Sequence, residues 1–200
     1  MSADIKRKEG IMGERDWVRT IQEVLNGHFK ASNPALRAEA EVALPYGTMI
    51  TGFDDGWKPR YAEKENNFKT DLLIYEQSGG GRIPRLVIEA KILDASTHDV
   101  ITYGKKSVLH RELMPYLRYG LMIGANKSDA LTWKHFTHGS DFDFMFSFGA
   151  ETPDKNERES FLALVDSEVA TSRELQGMLD SSGSELGIYY VRKKLEVSKK

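Results

Sequence analysis

Cysteine is absent from this chain of 200 residues. Disulfide bonds and thiolate metal sites are therefore excluded, and a reducing compartment suits the sequence. Long apolar runs are missing too, so no segment approaches the roughly 20 residues that a membrane-spanning helix needs. The polar segment 1–8 leads into no apolar region of the kind that secretory signals contain. We therefore expect a cytoplasmic protein that makes no contact with membranes.

An excess of charge of either sign is also lacking. The chain has 28 Lys and Arg against 30 Asp and Glu, which gives a formal net charge of -2. This balance argues against bulk attraction to nucleic acid, but it allows a local basic surface where phosphate is bound. Basic residues gather around Lys105, Lys106 and Arg111 and again in segments 192–194 and 199–200.

Sequence motifs of several enzyme classes are missing. The chain has no G-x-S-x-G nucleophile motif, no phosphate-binding glycine loop and no dinucleotide-binding fingerprint. Glycines 79–81 precede an apolar strand and not a helix, so they predict a turn. With 40% hydrophobic and 29% charged residues, the composition is ordinary for a globular protein. The length favours one domain over 1–200, with a core over about 12–150 and a C-terminal helical extension over about 151–200.

Two apolar segments rich in branched residues, 68–76 and 85–92, predict neighbouring buried strands. The short glycine-containing link between them favours an antiparallel hairpin. The first strand carries Asp71, and the second carries Glu89 and Lys91. Because side chains alternate across a strand, Glu89 and Lys91 must project from the same face. Buried charges are costly unless they pair or bind a metal, so this cluster indicates chemistry.

The remaining elements follow from hydrophobic periodicity and from Gly, Pro and capping residues. Residues 33–44 are ambiguous between helix and strand, and we favour a strand that ends at Pro45. Residues 52–67 contain Gly, Pro and several charges, and they predict a long loop. We predict helices over 13–29, from Ser96 or Thr97 to Leu113 and over 155–180, and strands over 118–124, 142–148 and 188–191. Together these elements predict an α/β fold in which helices flank a mixed central β-sheet.

Asp71 followed by Glu89-Ala90-Lys91 across a hairpin resembles the motif of the PD-(D/E)xK nuclease superfamily. That superfamily includes type II restriction endonucleases, mismatch-repair nickases and Holliday-junction resolvases. The resemblance implies a restriction-endonuclease-like core, with an N-terminal helix, an antiparallel hairpin bearing the acids, a crossover helix and a further strand. This chain offers those elements in that order between residues 12 and 124. Thr70 stands where the family name has a proline, a position that the superfamily keeps loosely.

The resemblance implies a role for each residue of the motif. Asp71 and Glu89 would be ligands of Mg²⁺, with Mn²⁺ as a substitute, and the main-chain carbonyl of Ala90 would complete the coordination. Lys91 would orient or deprotonate the attacking water. These roles suit the chemistry, because hard Mg²⁺ prefers carboxylate oxygens and a bound metal lowers the pKa of its water.

A third acid often joins the two metal ligands in this superfamily, and Glu14 is our favoured candidate. Glu14 lies on the apolar stripe of the first helix that contains Trp17 and Ile21, so its side chain should point inward. Glu39 and Glu41 are the alternatives.

Candidates for DNA contact lie on the helix that follows the hairpin. Thr102, Lys106 and His110 share a face by their i, i+4 spacing, with Tyr103 adjoining and Lys105 nearby. These residues either contact backbone phosphates or form a solvated helix face, and the sequence favours neither alternative.

Simpler explanations exist for several of the singled-out residues. Asp71 alone could be a hydrogen-bonded carboxylate at a strand end, and Glu89 and Lys91 could form an exposed ion pair on an edge strand. Their occurrence together on consecutive strands with matching apolar flanks favours an active site. His135 and His138 have i, i+3 spacing but no third ligand nearby, so we interpret them as loop histidines and not as zinc ligands.

The residues and the resemblance together predict a Mg²⁺-dependent endonuclease acting on double-stranded DNA. We favour a type II restriction endonuclease that works as a homodimer on a palindromic site. The region 125–200 would supply dimer contacts, base readout or both, and loops 52–67 and 125–140 would carry base-reading residues. The alternatives are a repair or recombination nuclease that recognises a DNA structure, and a catalytically inactive DNA-binding module of the same fold.

Overall fold

The computed structural model describes residues 12–126 and 130–181. The predicted strand 188–191 and the basic segments 192–194 and 199–200 lie outside these described residues. The helices and strands are, in chain order, α1 Glu14–Ser32, β1 Leu36–Ala40, β2 Ala43–Phe53, β3 Pro59–Lys69, β4 Leu72–Ser78, β5 Gly81–Ile92, α2 Thr97–Leu113, β6 Arg118–Gly124, α3 Trp133–His138, β7 Phe144–Ser147 and α4 Lys155–Asp180. Within the described part of the chain, no helix has both the length and the apolar character needed to cross a bilayer.

A five-stranded sheet with the order β1-β4-β5-β6-β7 forms the centre of the fold. Strands β1, β4 and β5 pair antiparallel with their neighbours, whereas β5, β6 and β7 run parallel to one another. The predicted hairpin is therefore β4–β5, and α2 makes the crossover that parallel β5 and β6 require. Helices cover both faces of this mixed sheet. The predicted α/β fold is confirmed.

Helices α1 and α4 pack on one face of the sheet. The predicted apolar stripe of α1 is buried at Trp17, Ile21, Leu25 and Phe29, whereas Val24 is only half-buried. Helix α4 contributes a second buried stripe to the same cluster. Phe161, Val165 and Val169 thus belong to the core on this face of the sheet.

Strand β5 is covered on both faces, which explains its continuous buried run from Arg85 to Ala90. Ile88 and Ala90 pack in the cluster with α1, and Val87 packs in the cluster on the opposite face with α2. Because side chains alternate along a strand, Glu89 lies on the same face as Val87, which is the face that α2 covers. The strand therefore directs its charged residue into the α2 side of the core.

The prediction of a loop over 52–67 is wrong. These residues belong largely to a two-stranded antiparallel ribbon of β2 and β3, which has three register shifts. The ribbon turns at 54–58, where the Asp54 carboxylate accepts hydrogen bonds from the main-chain N–H groups of Gly56 and Lys58. Most ribbon side chains are exposed or half-exposed on both faces. Leu44 at the base of the ribbon is buried in the core, but beyond it neither face is covered, so the sequence lacks the alternation that marks a half-buried strand.

The boundaries around the other elements are set by local backbone features. The predicted strand over 33–44 exists, but the chain turns at Glu41, which has φ 61°, so β1 ends at Ala40 and β2 starts at Ala43. Helix α2 begins at a capping box in which Ser96 and Asp99 exchange side-chain to main-chain hydrogen bonds. The predicted bounds of α2 and α4 are confirmed.

Gly120 in β6 has no room for a side chain. A Cβ at this position would lie 2.2 Å from Cζ of Phe144 in the neighbouring strand β7. We expect Gly120→Ala to lower the free energy of unfolding by about 1–3 kcal/mol, because the packed ring of Phe144 has to move.

Gly27→Ala is the matched control for this prediction. No atom lies within 4 Å of a Cβ built at Gly27, and alanine favours a helix interior by about 0.5–1 kcal/mol over glycine. Urea denaturation should therefore show a loss of stability for Gly120→Ala and a gain for Gly27→Ala. Equal stability of Gly120→Ala and wild type would contradict the close packing of β6 on β7.

Candidate active site at the end of the central hairpin

Asp71 lies in the short connection between β3 and β4 and not inside a strand. Main-chain hydrogen bonds fix this connection. The N–H of Thr70 donates to the Val42 carbonyl at 2.9 Å, and the N–H of Glu41 donates to the carbonyl of Asp71 at 3.1 Å. The Asp71 carboxylate accepts a hydrogen bond of 2.8 Å from the N–H of Ala90. Asp71 is thus held against the middle residue of the Glu-Ala-Lys motif.

Glu89 is fully buried on the α2 side of the sheet. The Tyr119 hydroxyl donates to Oε1 of Glu89 at 2.7 Å, and Nζ of Lys106 lies 3.2 Å from the same oxygen. The Asp71 carboxylate, which is held on the N–H of Ala90, is close enough to Glu89 for its charge to act on Glu89. Since β5 is a central strand, Glu89 does not belong to an exposed ion pair on a sheet edge.

The electrostatics of Glu89 depend mainly on burial. Burial raises the pKa of Glu89 to about 7, and the charge of Asp71 adds to this rise. Lys106 and the hydrogen bond from Tyr119 act in the opposite direction. Near neutral pH, the buried carboxyl group of Glu89 is therefore partly protonated. A divalent cation held by both carboxylates would offset their repulsion and the cost of burying Glu89.

Lys91 lies two residues beyond Glu89 and contacts a different set of acids. Its Nζ lies 3.4 Å from both carboxylate oxygens of Glu14 and 3.9 Å from Oδ1 of Asp99. The same atom lies 5.4 Å from the centre of the Tyr103 ring. Burial lowers the pKa of Lys91, but Tyr103, Glu14 and Asp99 outweigh this effect and hold the pKa above its usual range. Lys91 is thus a cation and a hydrogen-bond donor at neutral pH.

Glu14, the favoured third acid, lies at the start of α1 and reaches this cluster. Burial raises the pKa of Glu14, whereas the charge of Lys91 lowers it and that of Asp71 raises it. Acidic residues in the first turn are also favoured by the helix dipole. The structure therefore brings Glu14 together with Lys91 and Asp71.

The two alternative acids have partners of their own. Oε1 of Glu41 lies 2.6 Å from Nζ of Lys69, and Oε2 of Glu39 lies 3.3 Å from Nη1 of Arg82. A cleft of about 230 Å³ opens beside Asp71, and Glu39 is not among its lining residues. The cleft is lined by Glu14, Arg15, Val18, Arg19, Ala40, Glu41, Lys69 and Asp71.

The residues predicted to contact DNA do not share one surface. Lys105 is exposed on α2. His110 is fully buried, and its Nε2 lies 3.1 Å from the Leu44 carbonyl, so the prediction of an exposed face that includes His110 is wrong. Burial lowers the pKa of His110. Lys106 points to Glu89.

Helix geometry explains this difference. Residues at i and i+4 are offset by about 40°, so the stripe from Thr102 through Lys106 to His110 turns by roughly 80°. Thr102 is therefore exposed, Lys106 reaches the site at the sheet, and His110 enters the core. The Tyr103 ring lies beside the site, 4.8 Å from Nζ of Lys106.

Sequence reasoning missed Tyr119 and Asp99 as neighbours of the motif. Tyr119 lies in an apolar strand, where a tyrosine is indistinguishable from an ordinary core residue, although its hydroxyl needs a partner when buried. Asp99 forms a capping box with Ser96, a pattern that already accounts for an acid at that position. No signal in the sequence paired either residue with Glu89 or Lys91.

The histidine pair is also placed differently from the prediction. His135 and His138 lie in α3 and not in a loop. His135 is buried, and its Nδ1 accepts a hydrogen bond of 2.9 Å from the N–H of Thr132. This bond closes the start of α3, so His135 has a local structural role.

The donor set of the site suits Mg²⁺. Among residues 12–126 and 130–181, no group of three or more His, Asp or Glu is arranged to hold a metal, so there is no preformed cage of side chains. Mg²⁺ needs no such cage, because it keeps several waters and binds one or two carboxylates. Asp71 and Glu89 supply that pair. A strand residue directs its N–H and C=O to the same side, so the Ala90 carbonyl faces the side on which Asp71 accepts its N–H.

Comparison with known proteins gives no family assignment. No family model and no curated protein matches the chain. One similar solved structure is the complex of the pre-specific restriction endonuclease BsaWI with DNA, at 11% identity and a TM-score of 0.45. The match covers 78% of this chain and 61% of that protein, so the chain spans about three-fifths of its length. We therefore argue function from the geometry of the site.

Proposed function

We propose that this protein is a Mg²⁺-dependent endonuclease that hydrolyses phosphodiester bonds in double-stranded DNA. One observation carries the proposal: the N–H of Ala90, which lies between Glu89 and Lys91, donates a hydrogen bond of 2.8 Å to the Asp71 carboxylate and so brings the residues of the motif to one place. Phosphodiester hydrolysis needs a held cation, an oriented water and neutralisation of charge on phosphorus. This combination of groups can supply all three.

Each residue has a distinct role in this proposal. Asp71, Glu89 and the carbonyl of Ala90 would hold the metal. When bound, Mg²⁺ would lower the pKa of a water and neutralise charge on the phosphate. Lys91 donates a hydrogen bond to the attacking water or to a phosphate oxygen, and its protonated state favours this role over proton abstraction.

Glu14 and Tyr103 hold the Lys91 ammonium in position. Glu14 accepts from Nζ through both carboxylate oxygens, and the centre of the Tyr103 ring lies 5.4 Å from the same nitrogen. Burial raises the pKa of Tyr103 to about 12. Its phenol therefore stays neutral and carries no negative charge that would compete with the phosphate for the Lys91 ammonium. A hydrogen-bond donor that is already held in place stabilises the transition state more than a mobile donor does, because it needs no reorganisation when the phosphate binds.

DNA would approach along the cleft beside Asp71. Arg15, Arg19 and Lys69 line this cleft, and cations of this kind position a duplex by its phosphates. The ribbon β2–β3 ends at Lys69, two residues before Asp71. A two-stranded ribbon fits the major groove of B-DNA. We therefore assign base contacts to the ribbon turn at 54–58.

A type II restriction endonuclease is the specific activity that we propose, acting as a homodimer with each subunit on one half-site. Incubation of plasmid and phage DNA with the purified protein and Mg²⁺ tests this assignment. Discrete, reproducible fragments that disappear with EDTA are the expected result. Cleavage confined to branched junctions would instead identify a structure-specific nuclease, and DNA binding without any cleavage would identify an inactive module.

A further inference from the structure

Lys106 makes contacts that a surface lysine does not make. Its Nζ lies 3.2 Å and 3.4 Å from the two carboxylate oxygens of Glu89 and 3.3 Å from the main-chain carbonyl oxygen of Lys69. The Tyr103 ring centre lies 4.8 Å from the same nitrogen. Only 17% of the Lys106 side chain is exposed. The ammonium is therefore held among oxygen atoms at the edge of the core.

These contacts resemble the surroundings of a hard cation. Both oxygens of a fully buried carboxylate and one main-chain carbonyl face the charge, and these are the ligand types that Mg²⁺ selects. Glu89 cannot be hydrated from bulk water, because none of its side chain is exposed. The positive charge that compensates it in the metal-free protein therefore comes from Lys106.

We propose that Lys106 is an internal counter-ion of the metal site, which neutralises Glu89 in the metal-free protein and is displaced when a divalent cation binds. The inference rests on the proposed function, since it takes Asp71 and Glu89 as the metal ligands. A cation close to a metal site repels the incoming ion and occupies its ligand oxygens. Lys106 thus weakens metal binding before substrate is present. After its displacement from Glu89, the ammonium can keep its contacts with the Lys69 carbonyl and the Tyr103 ring.

Lys106→Met is the informative variant, because methionine keeps the apolar stem and removes the charge. Lys105→Met is the matched control, since Lys105 is the adjacent lysine on α2 and is exposed. Titration calorimetry and Mn²⁺ paramagnetic resonance, both without DNA and at one fixed alkaline pH, would measure affinity for Mg²⁺ and Mn²⁺. We expect Lys106→Met to bind about tenfold more tightly than wild type, as removal of a like charge at this distance implies. Lys105→Met should bind as wild type does.

Two results would overturn the proposal in distinguishable ways. Metal binding that is lost in Glu89→Gln but unchanged or weakened in Lys106→Met would reject the counter-ion role and leave the proposed metal site intact. Absence of metal binding in wild type and in every variant would reject the metal site together with the counter-ion.

A metal-free measurement gives an independent check on the pairing itself. In EDTA and at the same alkaline pH, where Glu89 is ionised, Lys106→Met should lower the unfolding midpoint, because it leaves Glu89 as a buried charge without its partner. The same substitution in a Glu89→Gln background should cause a smaller loss. Equal losses in the two backgrounds would show that Lys106 does not compensate Glu89, whatever the outcome of the metal titrations.

Discussion

Replacement of Lys91 by methionine should lower the single-turnover rate of Mg²⁺-dependent DNA cleavage by about 10²- to 10⁴-fold. The physical reason is the loss of the ammonium that Glu14, Asp99 and Tyr103 contact at the end of the Glu89-Ala90-Lys91 segment. Methionine retains the length of the side chain, so packing of the half-buried stem is preserved. The metal ligands are untouched, and the affinity for Mg²⁺ should therefore stay the same or increase.

The controls separate loss of chemistry from loss of fold. Lys155→Met removes a lysine that is 78% exposed at the start of α4, and this variant should cleave DNA at the wild-type rate. Circular dichroism of Lys91→Met should match that of wild type, whereas its unfolding midpoint should fall modestly, because Glu14 and Asp99 lose a partly buried partner. Equal turnover by Lys91→Met and wild type would remove Lys91 from the active site and would leave the nuclease proposal without its donor.

Replacement of Glu89 by glutamine should make the metal-free protein more stable at neutral and alkaline pH. The pKa of Glu89 is near 4.5 in the unfolded chain and about 7 in the folded protein. Between these values, the folded protein binds a proton that the unfolded chain has released, so wild-type stability falls as the pH rises. Below pH 4.5 both states are protonated, and above pH 7 both are ionised, so this contribution is constant outside the window.

The expected size of this effect follows from the pKa difference. One pKa unit corresponds to about 1.4 kcal/mol, so the raised pKa of Glu89 should lower the free energy of unfolding of wild type by about 3 kcal/mol between acid and neutral pH. Glu89→Gln lacks this group, so its free energy of unfolding should rise by the same amount relative to that of wild type. Glutamine is nearly isosteric, and its carbonyl oxygen can still accept the hydrogen bond from Tyr119. Urea denaturation at a series of pH values in EDTA measures the difference. A difference that does not change with pH would contradict the raised pKa of buried Glu89.

Glu76→Gln is a matched control for which we expect the opposite change in stability at neutral pH. A hydrogen bond from Arg173 lowers the pKa of Glu76, and Arg85 adds to this effect against the opposing influence of burial. A lowered pKa contributes stability at neutral pH that is lost as the pH falls through the folded value. Glu76→Gln should thus be less stable than wild type at neutral pH, and the gap should narrow in acid.

Added Mg²⁺ should reverse the ranking of wild type and Glu89→Gln. A ligand that binds only the folded protein stabilises it by about 4.1 kcal/mol when its concentration is a thousand times the dissociation constant, which exceeds the advantage of about 3 kcal/mol that Glu89→Gln has without metal. Wild type should gain this stability, whereas Glu89→Gln lacks one carboxylate ligand and should gain much less. A Mg²⁺-induced midpoint shift of equal size in both proteins would place the cation somewhere other than Glu89.

Local signals in the sequence were sufficient for much of the fold. Period-3.6 and buried apolar patterns located α1, α2 and α4 and the β4–β5 hairpin, because each of these elements buries a face in the core. The capping residue at Ser96 fixed the start of α2. The short glycine link between the charged strands gave their antiparallel pairing. Asp71, Glu89 and Lys91 were likewise visible as charges in or next to strands that otherwise had to be apolar.

The tertiary structure decided the features that depend on which face is covered. The ribbon β2–β3 buries almost nothing, so its sequence carries no periodicity, and only the paired backbone shows that it is not a loop. Lys106 and His110 belong to one i, i+4 stripe of α2. Because such a stripe turns around the helix axis, Lys106 lies at the edge of the core and His110 lies inside it. The partners of Glu89 and Lys91 come from three other elements: α1 supplies Glu14, β6 supplies Tyr119, and α2 supplies Lys106. Short-range patterns report burial along one element, whereas the electrostatics of a site depend on charges that folding brings together from distant parts of the chain.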